Sequence, residues 1–347
     1  MTAHAFPVAH DWTEPGLFTV APGVHRVPLP LPTDGLRAVN VYVVEDGDRL
    51  VLIDAGWALD VARQQLEAAL TLLDAGLPDV RQFLVTHLHR DHYTQALAIR
   101  RDLGTRVALG AHEQPSLAWM HAGRHPLATQ QERLRAAGAG PLLDRLLAVL
   151  PPPAERSPLD GGYGYPDEWV ADGTEFELTG RTLTAVHTPG HTRGHLVFVD
   201  TAAGLLFAGD HVLPHITPSI GFEPAPPELA LREFLRSLAM VRRLPDLRLL
   251  PAHGPAGGSA HARIDELLEH HRTRLDQCAA AVGPGTETAY QVAGRLTWTR
   301  RQHPLDHLDT FNQMLAVIET AEHLDLLAVQ GRLRSADLDG VRHYEPA

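Results

Sequence analysis

The strongest restriction on this fold is a run of six residues, His87-Leu88-His89-Arg90-Asp91-His92. It holds four side chains able to bind a metal, and it follows directly on the apolar run FLVT. VRQFLVTH (80–87) has the make-up of a buried strand, and HYTQALAIRRDLG (92–104) that of a helix closed by glycine. A strand end that opens into a loop lets such side chains turn toward one point, and the helix after it fixes the last of them. Imidazole and carboxylate suit zinc, iron or manganese. Three further places share this local design: Thr188-Pro189-Gly190-His191 after TLTAVH, Ala208-Gly209-Asp210-His211 after LLF, and Pro251-Ala252-His253-Gly254 after RLL. One histidine at a strand end is an ordinary polar terminus. Four stations of one design in one chain call for a fold that gathers its strand ends along one edge.

The rest of the pattern is that of an α/β chain. GVHRVPLP, AVNVYVVED and RLVLIDAG are strand-like, the last two joined by the turn signal Asp46-Gly47-Asp48. Leu59, Ala62, Leu66, Ala69 and Leu73 form the stripe of an amphipathic helix, for which Gly76 is the expected stop. TRVALGA reads as the next strand. Residues 113–168 break the rhythm with two expected helices, TQQERLRAAGA and PLLDRLLAVL, then Pro151-Pro152-Pro153 and DGGYGYPDEW. This segment is expected to be a helical insertion, either a lid over a site or a packing elaboration. As a lid it would line a substrate pocket with Trp119, Met120 and Leu127. TEFELTG, RTLTAVHT, HLVFVD and LLFAGD suggest a hairpin meander, followed by a helix over 226–243 and a short strand. A length of 347 residues suits about two domains. We place them at 1–258 and 259–347. The second is expected to be helical, with Phe311, Met314, Ile318 and Ala321 on one stripe and LAVQGRLRS as a small Gly-turned hairpin. That is a winged-helix pattern.

Charge and composition narrow the function. There are 30 basic and 42 acidic residues, a net charge of −12, which disfavours nucleic acid and anionic membranes as partners. From Gly285 onward six Arg face nine Asp and Glu, so the winged-helix-like end reads as an interaction module, with a homodimer as one outcome, rather than a DNA reader. All the basic residues are Arg. Without lysine there is no Schiff-base chemistry and no P-loop. The single cysteine, Cys278, lies in the helix-like DQCAAAV, which excludes an intramolecular disulfide and points to a buried structural role. The start of the chain lacks the pattern of a signal peptide, and no run reaches the ~18 apolar residues of a membrane span. A cytoplasmic location is the expectation.

With these motifs in family order, the sequence resembles the metallo-β-lactamase-fold hydrolases over roughly residues 20–258. The resemblance implies an αββα sandwich with its site at one edge between the sheets. It implies that His87, His89 and His191 hold one divalent ion, that Asp91, His92 and His253 hold a second, and that Asp210 bridges them. Zinc is the expected metal, with iron or manganese as alternatives. Asp54, in LIDAG, matches an early aspartate of the family and would orient ligand loops or imidazoles. His195 and His211 would sit behind the ligands or on the substrate side. Two such ions lower the pKa of a shared water. A metal-bridging hydroxide then needs no catalytic Ser, Cys or Lys, while Asp91 anchors it and relays a proton to the leaving group.

The resemblance does not reach a substrate. β-Lactamases of this fold usually lack an aspartate at the place of Asp210, and many use a cysteine ligand, so antibiotic hydrolysis is not the expected task. The tail resembles that of lactamase-β-like protein 2 and related hydrolases, and departs from the glutathione-binding end of the glyoxalase II type. The expected activity is hydrolysis of a small-molecule thioester or ester, lactones included. The alternatives are a single-strand nuclease of the same fold and a mononuclear iron oxidoreductase of the persulfide dioxygenase kind.

Overall fold

A computed structural model describes residues 11–31, 35–122, 127–149 and 163–347. Two sheets face each other, and the strands show why. In β4 (Arg49–Ile53) the side chains alternate, so Val51 and Ile53 enter the core between the sheets while Leu50 and Leu52 enter an outer core under helices. β10 (Leu196–Asp200) alternates the same way, with Leu196 and Phe198 inward and Val197 and Val199 outward. Strands that are apolar on both faces must be covered on both faces.

The first sheet runs in chain order: β1 (Phe18–Ala21), β2 (Val24–Pro30), β3 (Ala38–Asp46), β4, β5 (Val80–Val85), β6 (Arg106–Gly110) and β7 (Glu168–Val170). Its first four strands pair antiparallel and the rest parallel. The second sheet has the order β12-β11-β10-β9-β8, comprising β8 (Glu175–Leu178), β9 (Arg181–His187), β10, β11 (Leu205–Gly209) and β12 (Arg248–Pro251). β8 to β11 form the expected meander, and β12 joins parallel to β11. Helices α1 (Asp60–Thr71) and α2 (Arg90–Leu103) cover the first sheet, packing Ala62, Leu66 and Tyr93 on Leu29, Val41 and Phe83. The outer face of the second sheet is covered by α4 (Ala128–Ala136), α5 (Gly140–Val149), α6 (Ala230–Val241), α7 (Ala260–Ala281), α8 (Ala289–Ala293) and α9 (Thr310–Val329). The layers are therefore α, β, β, α, as expected. No helix among the described residues is long and apolar enough to cross a membrane.

The expected insertion opens with a third short helix, α3 (Gln114–His121), and its residues 150–162, which hold the proline run, lie outside the described residues. Leu134 of α4 and Leu142 and Leu146 of α5 share one apolar core with Leu267, Val317 and Leu327 from the end of the chain. These helices are thus part of the outer layer. Of the three side chains expected to line a substrate pocket, Met120 packs partly buried on the first sheet's outer core and Leu127 on the second's.

Several element ends differ from expectation. α1 stops before Gly76. Asp74 takes the left-handed conformation (φ 52°) and donates to Thr71 O, while Ala75 donates to Leu70 O. An aspartate tolerates that conformation, so the glycine two residues on is not needed for the stop. α9 runs through LAV of the segment expected to be a hairpin. Gly331 (φ 71°) donates to Ala328 O and Arg332 to Leu327 O, which makes Gly331 a helix stop. The hairpin comes later, β15 (Leu333–Leu338) with β16 (Val341–Pro346), turning at Asp339-Gly340. A two-stranded pair, β13 (Thr297–Trp298) and β14 (His303–Pro304), stands between α8 and α9. Met314 and Ile318 of the expected stripe are buried, whereas Phe311 is 45% exposed.

Candidate metal centre

Each station sits where a strand runs out. β5 releases His87 and His89, after which α2 starts with Asp91 in its first turn, where the helix dipole favours a carboxylate. β9 releases the turn before His191, β11 leads to Asp210, and β12 leads to His253. At Gly209 the chain is left-handed (φ 50°), and a Cβ there would lie 2.7 Å from the His195 ring and 2.8 Å from Thr86. Only glycine lets the β11 end press against the β5 end this closely.

The four strand ends converge. Ligand atoms of His87, His89, His191 and Asp210 lie within 4.8 Å of one another, and so do those of Asp91, His92 and His253. Asp210 faces both groups: its Oδ2 is 3.5 Å from His191 Nε2, and its Oδ1 is 3.6 Å from His92 Nε2 and 3.3 Å from His253 Nε2. Asp91 Oδ2 lies 3.5 Å from His92 Nε2 and 3.4 Å from His253 Nε2.

Behind the cage, the far nitrogens of four rings are tied down, while His89 Nδ1 lies 3.1 Å from His191 Nε2. His92 Nδ1 donates to Asp54 Oδ2 (2.9 Å), His191 Nδ1 to Ser219 O (2.8 Å) and His253 Nδ1 to Ala38 O (2.7 Å). The Thr86 hydroxyl donates to Asp54 and so accepts from His87 Nδ1 at 3.0 Å. Asp54 stands in a left-handed conformation (φ 61°) and also accepts the Thr86 N–H. His195 accepts the Asp210 backbone N–H at its Nε2 (3.1 Å) and turns its Nδ1 to the Thr188 hydroxyl (2.9 Å). His211 belongs to neither ligand group, its ring 5.2 Å from that of Phe234 and 6.0 Å from that of His195.

With these ties made, the Nε2 atoms of His87, His89, His92 and His253 and Oδ1 of Asp210 are buried without a hydrogen-bond partner. Burying five such atoms together is costly unless something binds them. A donor set of imidazoles and carboxylates, oriented from behind, fits divalent metal ions.

The electrostatics agree. Burial, then the neighbouring imidazoles, hold His87 well below the ordinary histidine range and bring His89 to about 3. Burial acts the same way on His92, but Asp91, Asp54 and Asp210 outweigh it and raise His92 to about 10. Burial would raise Asp91, yet His92 and His253 hold it below the usual carboxylate range. Two carboxylates in one cage, with Asp54 buried behind it, thus favour positive charge among them.

One buried residue beside the cage was not expected. Glu113 follows the end of β6 and accepts the Thr192 hydroxyl at 2.5 Å, and the nearby backbone N–H groups of Leu88 and Gly194 favour its charged form. It joins the loop of His87 and His89 to the loop of His191. Its segment, VALGAHE, repeats the station design of apolar strand, glycine and polar residue, so the signal was present. Glu223, buried next to it, accepts the Ser116 hydroxyl (2.9 Å) and has no such signature.

Comparison with known proteins matches this geometry. The family model described as the metallo-beta-lactamase superfamily matches residues 34–253. A probable metallo-hydrolase, YqjP, from Bacillus subtilis is 25% identical over 333 residues, covering 89% of this chain and 93% of that protein. The lactamase-like protein nscB of Neosartorya fischeri is 25% identical over 240 residues, 69% of this chain, which spans 55% of that protein's length. Among solved structures, a beta-lactamase domain protein from Burkholderia ambifaria superposes with a TM-score of 0.81 at 25% identity, covering 99% of this chain and 98% of that one. A metallo-beta-lactamase family protein from Thermus thermophilus superposes with a TM-score of 0.76 at 26% identity, covering 95% and 100%.

Proposed function

The chain belongs to the metallo-beta-lactamase superfamily, and on that premise we propose that it is a dinuclear metal-dependent hydrolase of small-molecule thioesters or esters, lactones included. The observation that carries this reading is Asp210, one oxygen of which faces each of two ligand groups that hold buried, unpartnered atoms. His87, His89 and His191 would hold one ion and Asp91, His92 and His253 the other, with Asp210 facing both groups. A mononuclear iron site would not need Asp91 and His92 together with His253, yet the three lie within 4.8 Å.

When bound, two divalent ions, zinc by our reading, supply an activated water at neutral pH and polarise the substrate carbonyl. The chain's own groups do the rest. Asp54 and the carbonyls of Ser219 and Ala38 hold the rings in the tautomer that leaves Nε2 free. His195 fixes the backbone of Asp210. Asp91, whose side chain is 14% exposed, is placed to carry a proton from the cage to a leaving thiolate or alkoxide. The Phe222 ring lies 6.5 Å from His89 and meets the exposed Phe311 edge-on at 5.4 Å. That apolar flank and the net charge of −12 suit an acyl chain better than a polyanionic strand.

The test is a substrate panel on protein of defined metal content. Acyl thioesters should release thiol, or lactones and esters acid, while single-stranded RNA stays intact. Asp210→Ala should lose both turnover and the metal of the central cage. RNA fragments with no acyl cleavage, or full activity in Asp210→Ala, would overturn the proposal.

A further inference from the structure

A second set of metal-binding side chains lies at the seam of α7 and α9, where neither the family model nor the central cage reaches. His270 and His271 of α7 and Glu319 of α9 each offer a ligand atom within 4.8 Å of the others. His271 is 0% exposed, and its Nε2 has no hydrogen-bond partner.

The tautomers follow from one fixed point. The Glu319 backbone carbonyl can only accept, and His323 Nδ1 is 2.7 Å from it, so His323 carries its proton on Nδ1. His323 Nε2 is then an acceptor, and His271 Nδ1, 3.2 Å away, donates to it. That leaves His271 Nε2 as a bare lone pair in a dry place. Burial and the neighbouring His323 hold His271 well below the ordinary histidine range, so the ring is neutral. This is the same arrangement that backs the central imidazoles: the far nitrogen is tied, and the near one is free.

The surroundings allow a cation to enter. His270 and Glu319 are only half-buried, so the mouth of the site opens to solvent. Burial pushes the Glu319 carboxyl up to about 7, so a cation that takes its oxygen would displace that proton and meet the negative charge it needs. Arg274 and Arg263 are the cations nearest the group. Arg274 is turned onto the face of Trp298 (4.9 Å) and donates to Thr297 O (3.1 Å), while Arg263 is spent on Leu213 O and Ile216 O and pairs with Glu266. Two imidazoles and one carboxylate form a set that holds zinc with a fourth position open to water.

We infer that His270, His271 and Glu319 form a separate zinc site that fastens α7 to α9, independent of the central cage. The experiment counts zinc equivalents after chelator treatment and reconstitution with zinc alone, on the full chain. Asp210→Ala, with the central cage broken, should still bind one equivalent. Adding Glu319→Gln or His270→Ala to it should remove that equivalent. Cobalt substitution gives a second readout: the visible band of Asp210→Ala should show tetrahedral cobalt and vanish with Glu319→Gln. Both added changes fall on half-buried side chains, and circular dichroism verifies the fold. Equal zinc content with and without Glu319→Gln and His270→Ala, or a cobalt band indifferent to them, would overturn the inference.

Discussion

Glu113 shows how a single buried carboxyl can govern a site it does not enter. It lies against the loop of His87 and His89, where the Leu88 N–H favours its charged form, and holds the loop of His191 through the Thr192 hydroxyl. Removing such an outer partner typically costs about 10- to 100-fold in metal affinity. Glu113→Ala should show that loss in a zinc titration. Glu113→Gln keeps a carbonyl acceptor and should restore most of it, whereas a mere space-filling role would make Gln and Leu equivalent. The pH dependence has a definite sign. Burial pushes the Glu113 carboxyl up to about 7 from an ordinary 4.5. Between those values the folded chain keeps a proton that the unfolded chain has released. Its contribution to stability is full below 4.5 and is lost as the pH rises through 7. Glu113→Gln, which does not titrate, should therefore gain in melting temperature relative to the parent as the pH rises from about 4.5 to about 7. A constant difference across that range would refute the assignment.

Between elements, the sharpest device is the buried ion pair of Arg133 on α4 with Glu322 on α9, at 2.5 Å and with side chains 19% and 6% exposed. Arg133 also donates to Gly221 O (2.8 Å), and Glu322 accepts from Leu231 N–H at the start of α6 (3.3 Å). Three helices and the segment of Phe222 meet there. Arg133→Met strands a buried carboxylate, and its expected cost is about 3–5 kcal/mol in a denaturant titration. Adding Glu322→Gln should recover part of it, and additive losses would mean that the pair is not coupled. None of this junction is visible in the sequence, since α4 and α9 have no pattern that pairs them across 189 positions. What the sequence does carry is local. Short apolar runs between turn residues fix β3, β4 and β9 to β11, and the stripe over Leu59–Leu73 fixes α1. The stations are legible because a polar ligand after an apolar strand and a small residue is a strong break in pattern. The stops at Asp74 and Gly331 were misplaced because a left-handed residue ends a helix wherever backbone hydrogen bonds reach it. Glu113 shared the station design but carries no histidine run to announce it. Phe222 and Phe311 are ordinary apolar residues whose meeting beside His89 is set by the outer helical layer.

For the molecule as a whole, the cage is also a fastening. Its side chains come from the end of β5 in one sheet and the ends of β9, β11 and β12 in the other. Ions bound there would clamp the two sheets along one edge, and the unfolded chain cannot offer that geometry. Binding free energy then becomes folding free energy, about 4 kcal/mol for one site at a free-metal concentration of ~1,000 Kd. Domains of this size shift by roughly 2–4 °C per kcal/mol, so a chelator should lower the melting temperature by on the order of 10 °C or more. The loss should be reversed by restoring zinc at equal ionic strength, which separates site binding from general screening. It should be much smaller in Asp210→Ala, where the group facing both halves of the cage is gone. A parent protein that gives up its metal to the chelator yet melts unchanged would show that the two sheets hold their strand ends together without it. The five unpartnered atoms would then have to be satisfied by water.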